Sequence, residues 1–328
     1  MRDLPQGLDE TELIKSLAEG WGLEVAGAEY SPVGGGSYHW VVTNAGGRRY
    51  FTTVDDLDER GYLGPNRDLA FEGLQRAFGA ARALHQEGGL EFVVAPEPTP
   101  DGEIVRRIDS RYTVAVFPFI DGTSRGFYES APPDERAELV RMLVRLHRAT
   151  PAAESVARLI SVELPGRDGL ETALQSLDSG WMGGPFSERA RALLADHRAH
   201  VLGLLDVFDR LASEVAASGS KPVITHGEPH GGNFMRSGGR LVLIDWDTAG
   251  LALPERDLWL VDAGDGAELK LYSEASGRRV NEDAVALYRL RWQLDDIASF
   301  ANQLRSPHSQ TADAEHAWHS LITLMSSA

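Results

Sequence analysis

The sequence predicts an α+β fold with two lobes, a small N-terminal lobe built on an antiparallel sheet and a larger, mainly helical C-terminal lobe. Short β-like runs separated by glycine turns fill the first third of the chain, and one helical period interrupts them. After Pro118, apolar residues recur mostly at helical spacing. We therefore expect a lobe at residues 1–117, a hinge at 118–122 and a second lobe at 123–328, with a ligand cleft between the lobes.

The first lobe is expected to contain a glycine-linked antiparallel meander and a single helix. Its β-like runs lie at residues 23–30, 38–43, 48–54, 92–95, 103–108 and 112–117. The turn between the first two runs is GGGS, residues 34–37. Apolar side chains three and four residues apart from Phe71 to Leu84 predict the helix, and Gly88 and Gly89 end it.

The second lobe is expected to be helical apart from two short β-like runs. Its first helix follows Pro132 and Pro133, which suit a helix first turn, and it carries an apolar stripe that ends at Leu146. The other elements are expected as helices at residues 187–217 and 283–304 and as β-like runs at residues 223–225 and 241–244.

Composition excludes several classes of protein. With 42% hydrophobic and 25% charged residues, the 328-residue chain is typical of a globular protein. The excess of 49 acidic over 32 basic residues gives a formal charge of −17, which disfavours nucleic acids and anionic membranes as partners. Because the chain has no cysteine and no apolar run approaching about 18 residues, we expect neither disulfides nor a membrane span, and a cytoplasmic location.

The segment at residues 226–247, HGEPHGGNFMRSGGRLVLIDWD, carries the clearest chemical signal. Two apolar runs flank a turn at 237–239, which predicts a β-hairpin with a three-residue loop. In that register Asn233 and Asp245 lie opposite one another, with Cβ atoms about 5 Å apart. An amide oxygen and a carboxylate at this spacing suit Mg²⁺, and Glu228 is then placed to act as a general base.

Two other interpretations of this segment remain open. Asn233 and Asp245 could be ordinary turn and cap residues at the ends of a hairpin. His226, Glu228 and His230 could chelate a transition metal, although their spacing lacks the helical geometry of known motifs of that kind. His226 by itself is typical of a structural histidine that holds a loop.

The same segment is similar to the core of the aminoglycoside phosphotransferase family, whose pattern is HGD, four residues, N, IDW and a later D-L. The matching residues are His226, Gly227, Glu228, Asn233, Ile244, Asp245, Trp246, Asp247 and Pro254, Glu255, Arg256, Asp257, Leu258. Weaker pieces follow in the same order, namely GGGSYH at 34–39, FPFIDG at 117–122, Leu146 with His147, and YRLRWQLDDIASF at 288–300. This resemblance implies a two-lobed, protein-kinase-like fold.

The resemblance also implies how a nucleotide, ATP or GTP, would bind. Glycine-loop backbone N–H groups would cover its phosphates, the third strand would contribute Thr53 where the family has a lysine, and the hinge backbone would hold the base. The residues implied are Gly34, Gly35, Gly36, Ser37, Thr53, Pro118, Phe119 and Ile120.

For the chemical step, the resemblance implies that Asn233 and Asp245 hold Mg²⁺ and that Glu228 accepts the proton of an attacking hydroxyl. His226 belongs to the same catalytic loop, and Asp257 is implied to brace that loop from behind.

Two departures from the family pattern bear on activity. The family has Asp where this chain has Glu228, and the extra methylene displaces the carboxylate unless the loop compensates. The third strand also has no lysine. Arg49 is too far along that strand to reach, while Arg106 or Arg107 could substitute from a neighbouring strand.

On the acceptor side, Trp292, Asp295 and Asp296 lie on a late helix, away from or beside its apolar stripe. They suit the ammonium groups of an aminocyclitol, or they form a solvated helix face.

Two functions follow from these observations. The first is a small-molecule kinase that uses Mg²⁺ and a nucleoside triphosphate to phosphorylate a hydroxyl of a small, cationic, aminocyclitol- or sugar-like acceptor, a chemistry that can confer antibiotic resistance. The alternative is a catalytically impaired, kinase-like protein that binds a nucleotide or small molecule without transfer.

Overall fold

The computed structural model describes residues 1–127, 129 and 131–326. These residues form two compact units, one made chiefly of described residues within 3–161 and 221–281, the other chiefly of residues 162–220 and 282–326. The hinge predicted at 118–122 lies inside the first unit, and the division into lobes stays a prediction. The α+β class is as predicted, with the principal sheet near the N-terminus and helices predominating later.

The principal sheet has five antiparallel strands in the order β1-β2-β3-β5-β4. The strands are β1 (Val25–Tyr30), β2 (Tyr38–Asn44), β3 (Arg49–Asp56), β4 (Arg106–Arg107) and β5 (Tyr112–Pro118). The predicted strand at 92–95 is wrong, because Val93 makes only an isolated bridge, to Leu243. Prolines at 96, 98 and 100 remove the N–H donors that would extend it.

A helix missed by the sequence analysis, α1 (Glu10–Trp21), covers one face of this sheet. The Asp9 carboxylate accepts a hydrogen bond from the N–H of Thr11 at its start, and Gly22 ends it with φ 65°. Leu13 and Leu17 are fully buried and pack in one cluster with apolar side chains of the sheet.

The other face of the sheet contacts α2 (Arg67–Gln86), the predicted first-lobe helix. Its buried residues include Leu74 and Phe78, and the Phe78 ring packs edge-on against Phe117 of β5, with centroids 5.3 Å apart. The same core continues to Leu143, Leu243 and Trp246, so the principal sheet and the 226–257 segment share one hydrophobic core.

The remaining elements of the first unit lie between residues 123 and 153 and between residues 223 and 276. They are β6 (Thr123–Ser124), α3 (Pro133–Arg148), α4 (Thr150–Ala153), β7 (Val223–Thr225), β8 (Phe234–Ser237), β9 (Arg240–Leu243), β10 (Gly250–Ala252), α8 (Glu255–Val261) and α9 (Ala267–Ser276). β7 pairs with β10, while β6, β8 and β9 form a three-stranded sheet.

The β8–β9 hairpin has a two-residue turn, so the predicted three-residue loop is wrong. Ser237 pairs with Arg240, and Gly238 and Gly239 form the turn with φ 54° and 79°. Positive φ at both positions is the type I′ geometry that matches strand twist, and only glycine adopts it freely at both. The register therefore shifts by one residue from the predicted one.

The second unit is helical in the part of the chain described. Its helices are α5 (Arg167–Gln175), α6 (Ser187–Asp196), α7 (Arg198–Ala217), α10 (Glu282–Arg305) and α11 (Ala312–Ser326). The predicted helix at 187–217 is two helices that meet at His197, whose Nδ1 bonds to the Leu193 carbonyl 2.9 Å away. The helix predicted at 283–304 is confirmed as α10. None of the described helices is long and apolar enough to cross a membrane.

Two glycines of α2 give a matched test of this packing. A Cβ at Gly73 would lie 2.5 Å from the Leu63 carbonyl oxygen, whereas a Cβ at Gly79 would lie 3.8 Å from Ile104 Cδ1. Gly79→Ala should raise the free energy of unfolding by roughly 0.5–1 kcal/mol, because alanine is the better helix former. Gly73→Ala should lower it by about 1–3 kcal/mol through overpacking. Urea unfolding measures both, and a stabilising Gly73→Ala would contradict the close contact.

Candidate active site

The loop at residues 226–233 follows β7 and is held by hydrogen bonds around Glu228. The Glu228 N–H donates to His226 Nδ1 at 3.2 Å. The Glu228 carbonyl oxygen accepts from the His230 N–H at 2.8 Å and from Asn233 Nδ2 at 2.9 Å. Both backbone groups of Glu228 are thus fixed, and its side chain is half-buried.

Asp257 of α8 lies next to the start of this loop. It is fully buried and accepts from the N–H groups of His226 at 3.0 Å and Gly227 at 2.7 Å. His147, in the last turn of α3, is hydrogen-bonded to it through Nε2 at 3.0 Å. Burial alone would raise the pKa of Asp257, but the His147 hydrogen bond and nearby positive charges outweigh it and lower the pKa.

His226 is a structural residue of the loop. Its Nε2 is 2.8 Å from the Ile244 carbonyl oxygen, which makes it the donor, and its Nδ1 accepts from Glu228. Burial lowers the pKa of His226 to about 4, so the ring is neutral. Because both ring nitrogens are engaged, the geometry disfavours His226 as a transition-metal ligand.

Arg256, missed by the sequence analysis as a site residue, supports the loop from the other side. Its guanidinium donates to Thr225 Oγ1 at 2.9 Å and to the Thr248 carbonyl at 3.0 Å. It occupies the space where a Cβ at Gly227 would lie, and Gly227 has φ 103°. Glycine is therefore required at position 227 for two reasons: its backbone has a positive φ, and Arg256 fills the space of a side chain.

Asn233 and Asp245 flank the hairpin in a register different from the predicted one. The Ile244 N–H donates to the Asn233 carbonyl at 3.0 Å, so Ile244 lies opposite Asn233 and Asp245 is one residue beyond the ladder. Asp245 is the one non-glycine residue among those described with positive φ, 66°. Its backbone conformation, and not the strand pleat, therefore sets the direction of its side chain.

The surroundings of Asp245 disfavour its ionised form. The residue keeps access to solvent, yet protein atoms surround much of it and Asp247 lies nearby. These two effects, burial first, raise the pKa of Asp245 above its ordinary value.

A buried polar cluster next to Asp245 contains Ser37, Asp55, Arg60, Tyr62 and Asp247. Arg60 Nη2 donates to both Asp55 Oδ1 and Ser37 Oγ. Its Nη1 lies 3.0 Å from the Tyr62 hydroxyl and 3.5 Å from Asp247 Oδ2. The Tyr62 hydroxyl donates to Asp247 Oδ2 at 2.6 Å. The cluster joins β3 and the glycine loop to the residue two positions after Asp245.

This cluster fits a divalent cation at Asn233 and Asp245. Asp55, Asp245 and Asp247 interact electrostatically with one another, and Arg60 is the cation they share. Three carboxylates beside one guanidinium leave an excess of two negative charges when all are ionised, which equals the charge of Mg²⁺. The Asn233 amide oxygen and the Asp245 carboxylate are the hard oxygen donors that Mg²⁺ prefers.

The glycine loop, residues 34–37, connects β1 to β2 as expected. Gly34 and Gly36 have φ 68° and 95°, so this backbone depends on glycine. The Ser37 hydroxyl is buried and donates to Asp55 at 2.9 Å.

At the predicted hinge, Pro118 ends β5. The Phe119 ring lies 3.9 Å from the Arg49 guanidinium, and Ile120 is half-buried.

Thr53 stands where the family has a strand lysine, and the arginines considered as substitutes for that lysine pair with other residues. Thr53 lies opposite His39, with 3.4 Å between Thr53 Oγ1 and His39 Nδ1. Arg107 pairs with Asp68 at 2.6 Å, and Arg106 pairs with Glu103 at 3.2 Å. The expectation that Arg106 or Arg107 could substitute therefore has no support in the geometry of β4.

In the second unit, Trp292, Asp295 and Asp296 lie together on α10. Both carboxylates are half-buried, which is not a fully solvated helix face. The Gly166 N–H donates to Asp295, and Trp292 is hydrogen-bonded to Asp296. Burial, and then the neighbouring Asp295, raise the pKa of Asp296 to about 7. Such carboxyl groups gain stabilisation when a cation approaches.

Comparison with known proteins gives the class of the protein. A model of the phosphotransferase enzyme family (APH) matches residues 29–301. Protein StrN of Streptomyces griseus is 30% identical over 250 residues, which cover 73% of this chain and 73% of that protein. The chain therefore belongs to the phosphotransferase enzyme family, and the resemblance and enzyme class predicted from the sequence are confirmed.

Solved structures share its fold. Spectinomycin phosphotransferase APH(9)-Ia, in complex with ADP and spectinomycin, has a TM-score of 0.73 at 17% identity over 97% of this chain and 95% of its own. Choline kinase LicA from Streptococcus pneumoniae has a TM-score of 0.55 at 14% identity, covering 97% and 99%. The predicted protein-kinase-like fold is confirmed.

The bracing role of Asp257 can be tested by Asp257→Asn. An amide cannot accept at both of its polar atoms, so one loop N–H would face another donor. The free energy of unfolding should fall by about 1–3 kcal/mol for each unsatisfied buried group. Exposed Glu274 on α9 provides the control, and Glu274→Gln should change stability by less than about 0.5 kcal/mol. Denaturant unfolding measures both, and equal effects would contradict the bracing role.

Proposed function

We propose that this phosphotransferase transfers the γ-phosphoryl group of ATP or GTP to a hydroxyl of a small, cationic, aminocyclitol-, aminoglycoside- or sugar-like molecule. The observation that carries the proposal is the 226–233 loop, whose hydrogen bonds fix the backbone of Glu228 next to Asn233 and against Asp257. The polar cluster beside Asp245 has an excess of negative charge that a divalent cation would neutralise, and that cation would also attract the phosphates.

The proposed reaction is a direct in-line displacement. The acceptor oxygen attacks the γ-phosphorus, the bond from that phosphorus to the β-phosphate oxygen breaks, and the nucleoside diphosphate leaves. Glu228 takes the proton of the attacking hydroxyl on its carboxylate. Mg²⁺, which Asn233 and Asp245 would hold, supplies positive charge to the phosphates.

The other site residues position the groups. The backbone at Gly34, Gly35, Gly36 and Ser37 would cover the phosphates, Thr53 would line the nucleotide site, and the backbone from Pro118 to Ile120 would hold the base. Asp257 and His226 keep the 226–233 loop in its conformation. These roles are the ones implied by the family pattern, and the loop geometry is compatible with them.

The cationic character of the acceptor is supported by α10. Asp295 and Asp296 are half-buried acids, and burial raises the pKa of both. The charge of Arg291 offsets only part of this rise at Asp295, so further positive charge would stabilise both ionised forms. An ammonium group of an acceptor would supply that charge, and Trp292 offers an apolar surface beside it. Spectinomycin, present in the complex of the structurally similar phosphotransferase, belongs to this chemical class. If an antibiotic is the acceptor, its phosphorylation would give resistance.

The alternative, a kinase-like binding protein without transfer, predicts a different result in the same assay. Nucleoside diphosphate release is measured with Mg²⁺ and ATP or GTP against a panel of spectinomycin, other aminocyclitols, choline and neutral sugars. Acceptor-dependent release with a cationic aminocyclitol supports the proposal. Thermal stabilisation by nucleotide without release on any acceptor would favour the alternative.

Glu228→Gln tests the base. The amide keeps the shape of the side chain but cannot accept the proton, so kcat should fall by about 10²–10⁴-fold while nucleotide affinity changes little. Glu228→Asp introduces the shorter carboxylate that the family has at this position, and this variant should retain part of the activity. Steady-state kinetics and nucleotide titrations separate the two effects. Unchanged kcat in Glu228→Gln would exclude Glu228 as the base.

Asp296→Asn tests the acceptor carboxylate through pH. Since the folded-state pKa of Asp296 is raised from 3.8 to about 7, wild-type stability from this group is complete below pH 3.8 and is lost as pH rises through 7. An asparagine at position 296 does not ionise. The Tm of the variant minus the Tm of wild type should therefore become more positive as the pH rises from 4 to 8. The KM for a cationic acceptor should rise in the same variant. Exposed Glu282 on α10 is the control, and Glu282→Gln should change neither quantity.

A further inference from the structure

The proposed nucleotide site needs a cation that β3 does not supply. On the face of β3 that carries Phe51, Thr53 and Asp55, the basic residue is Arg49, which lies at the far end of the strand against the Phe119 ring. The arginines of β4 pair with other carboxylates. Kinase-like phosphoryl transfer uses a fixed basic side chain to neutralise the phosphates. Backbone N–H groups of the glycine loop contribute only partial charges. A further basic residue is therefore required near the same face.

Arg60 reaches this face from the segment after β3. It is 4% exposed, and it forms an ion pair with Asp55, five residues earlier on the strand. Its guanidinium also lies directly beneath the glycine loop, because a Cβ at Gly36 would be 2.9 Å from Arg60 Nη1. Through Asp247, 3.5 Å away, it approaches the segment that carries Asp245. One cation thus touches all three segments around the proposed phosphate position.

The contacts of Arg60 leave hydrogen-bonding capacity for a further anion. Its guanidinium has five N–H donors, and Nε has no hydrogen-bond partner among the described residues although it is buried. The contact with Asp247 is the longest of its polar contacts. A planar guanidinium matches phosphate oxygens with two parallel hydrogen bonds, which a lysine cannot do.

We propose that Arg60 binds the nucleotide phosphates and takes the place of the strand lysine. This inference rests on the proposed function, since it requires a nucleotide beneath the glycine loop. Asp55 is then the acid that fixes the arginine, in the way that a carboxylate partner orients a catalytic cation. Ser37 links this pair to the loop that covers the phosphates.

Binding affinities for ATP, ADP, AMP and adenosine, measured by calorimetry with Mg²⁺, test the proposal; the guanosine series replaces them if wild type prefers GTP. The principal variant is the double substitution Arg60→Met with Asp55→Asn, which removes both charges of a buried pair and keeps the net charge. Arg60→Lys is the second variant, because it retains the charge without the planar donors. The matched control is Arg111→Met with Asp56→Asn, a neighbouring ion pair on the opposite face of β3.

The double variant should bind ATP and ADP roughly ten- to a hundredfold more weakly, as expected for lost hydrogen bonds to a charged group, and adenosine within about twofold of wild type. Arg60→Lys should lie between the double variant and wild type. The control pair should leave the whole series unchanged. Circular dichroism and thermal unfolding establish that each variant is folded, and Arg60→Lys decides the matter if the double variant does not fold.

Two results would overturn the assignment of Arg60. One is an equal loss of affinity for adenosine and ATP, which indicates a structural ion pair. The other is unchanged ATP affinity in a folded variant. Wild-type protein that binds neither nucleotide series would instead overturn the proposed function together with this inference, so the two failures are distinguishable.

Discussion

The geometry of the site depends on one buried carboxylate. Asp257 receives two loop N–H groups and is hydrogen-bonded to His147, so a single side chain of α8 joins the 226–233 loop to the end of α3. The loop has few apolar side chains of its own, and its conformation therefore depends on hydrogen bonds to a rigid support. α8 and α3 pack in the same hydrophobic core, which fixes the positions of Asp257 and His147. The hydrogen bonds of Asp257 then fix the loop that carries Glu228.

Much of the fold could be predicted from the sequence because its signals are local. Alternating apolar residues and glycine turns located four of the five strands of the principal sheet well, and helical periodicity located α2 and α10. The run at 92–95 failed because the prolines that follow it override β propensity. The helix at 187–217 was divided by His197, which interrupts no apolar period and so gave no signal.

The site was predicted less completely, since its support consists of pairs distant in the chain. The 226–247 segment identified Asn233, Asp245 and Glu228 by residue type, yet an error of one residue in turn length changed the strand partner of Asn233. Arg60 is 187 positions from Asp247, and His147 is 110 from Asp257. Nothing local distinguishes these side chains from surface charges. The one available signal was a charged residue, Asp55, directly after the β-like run predicted at 48–54.

The left-handed backbone at Asp245 has an evolutionary consequence. Branched and bulky L-residues are excluded there by steric clash, and glycine, asparagine and aspartate are the residues that tolerate the conformation best. Of those three, aspartate alone carries a negative charge. The positive φ at position 245 thus restricts, before any ligand is considered, which amino acids natural variation can offer there, and a requirement for negative charge leaves aspartate.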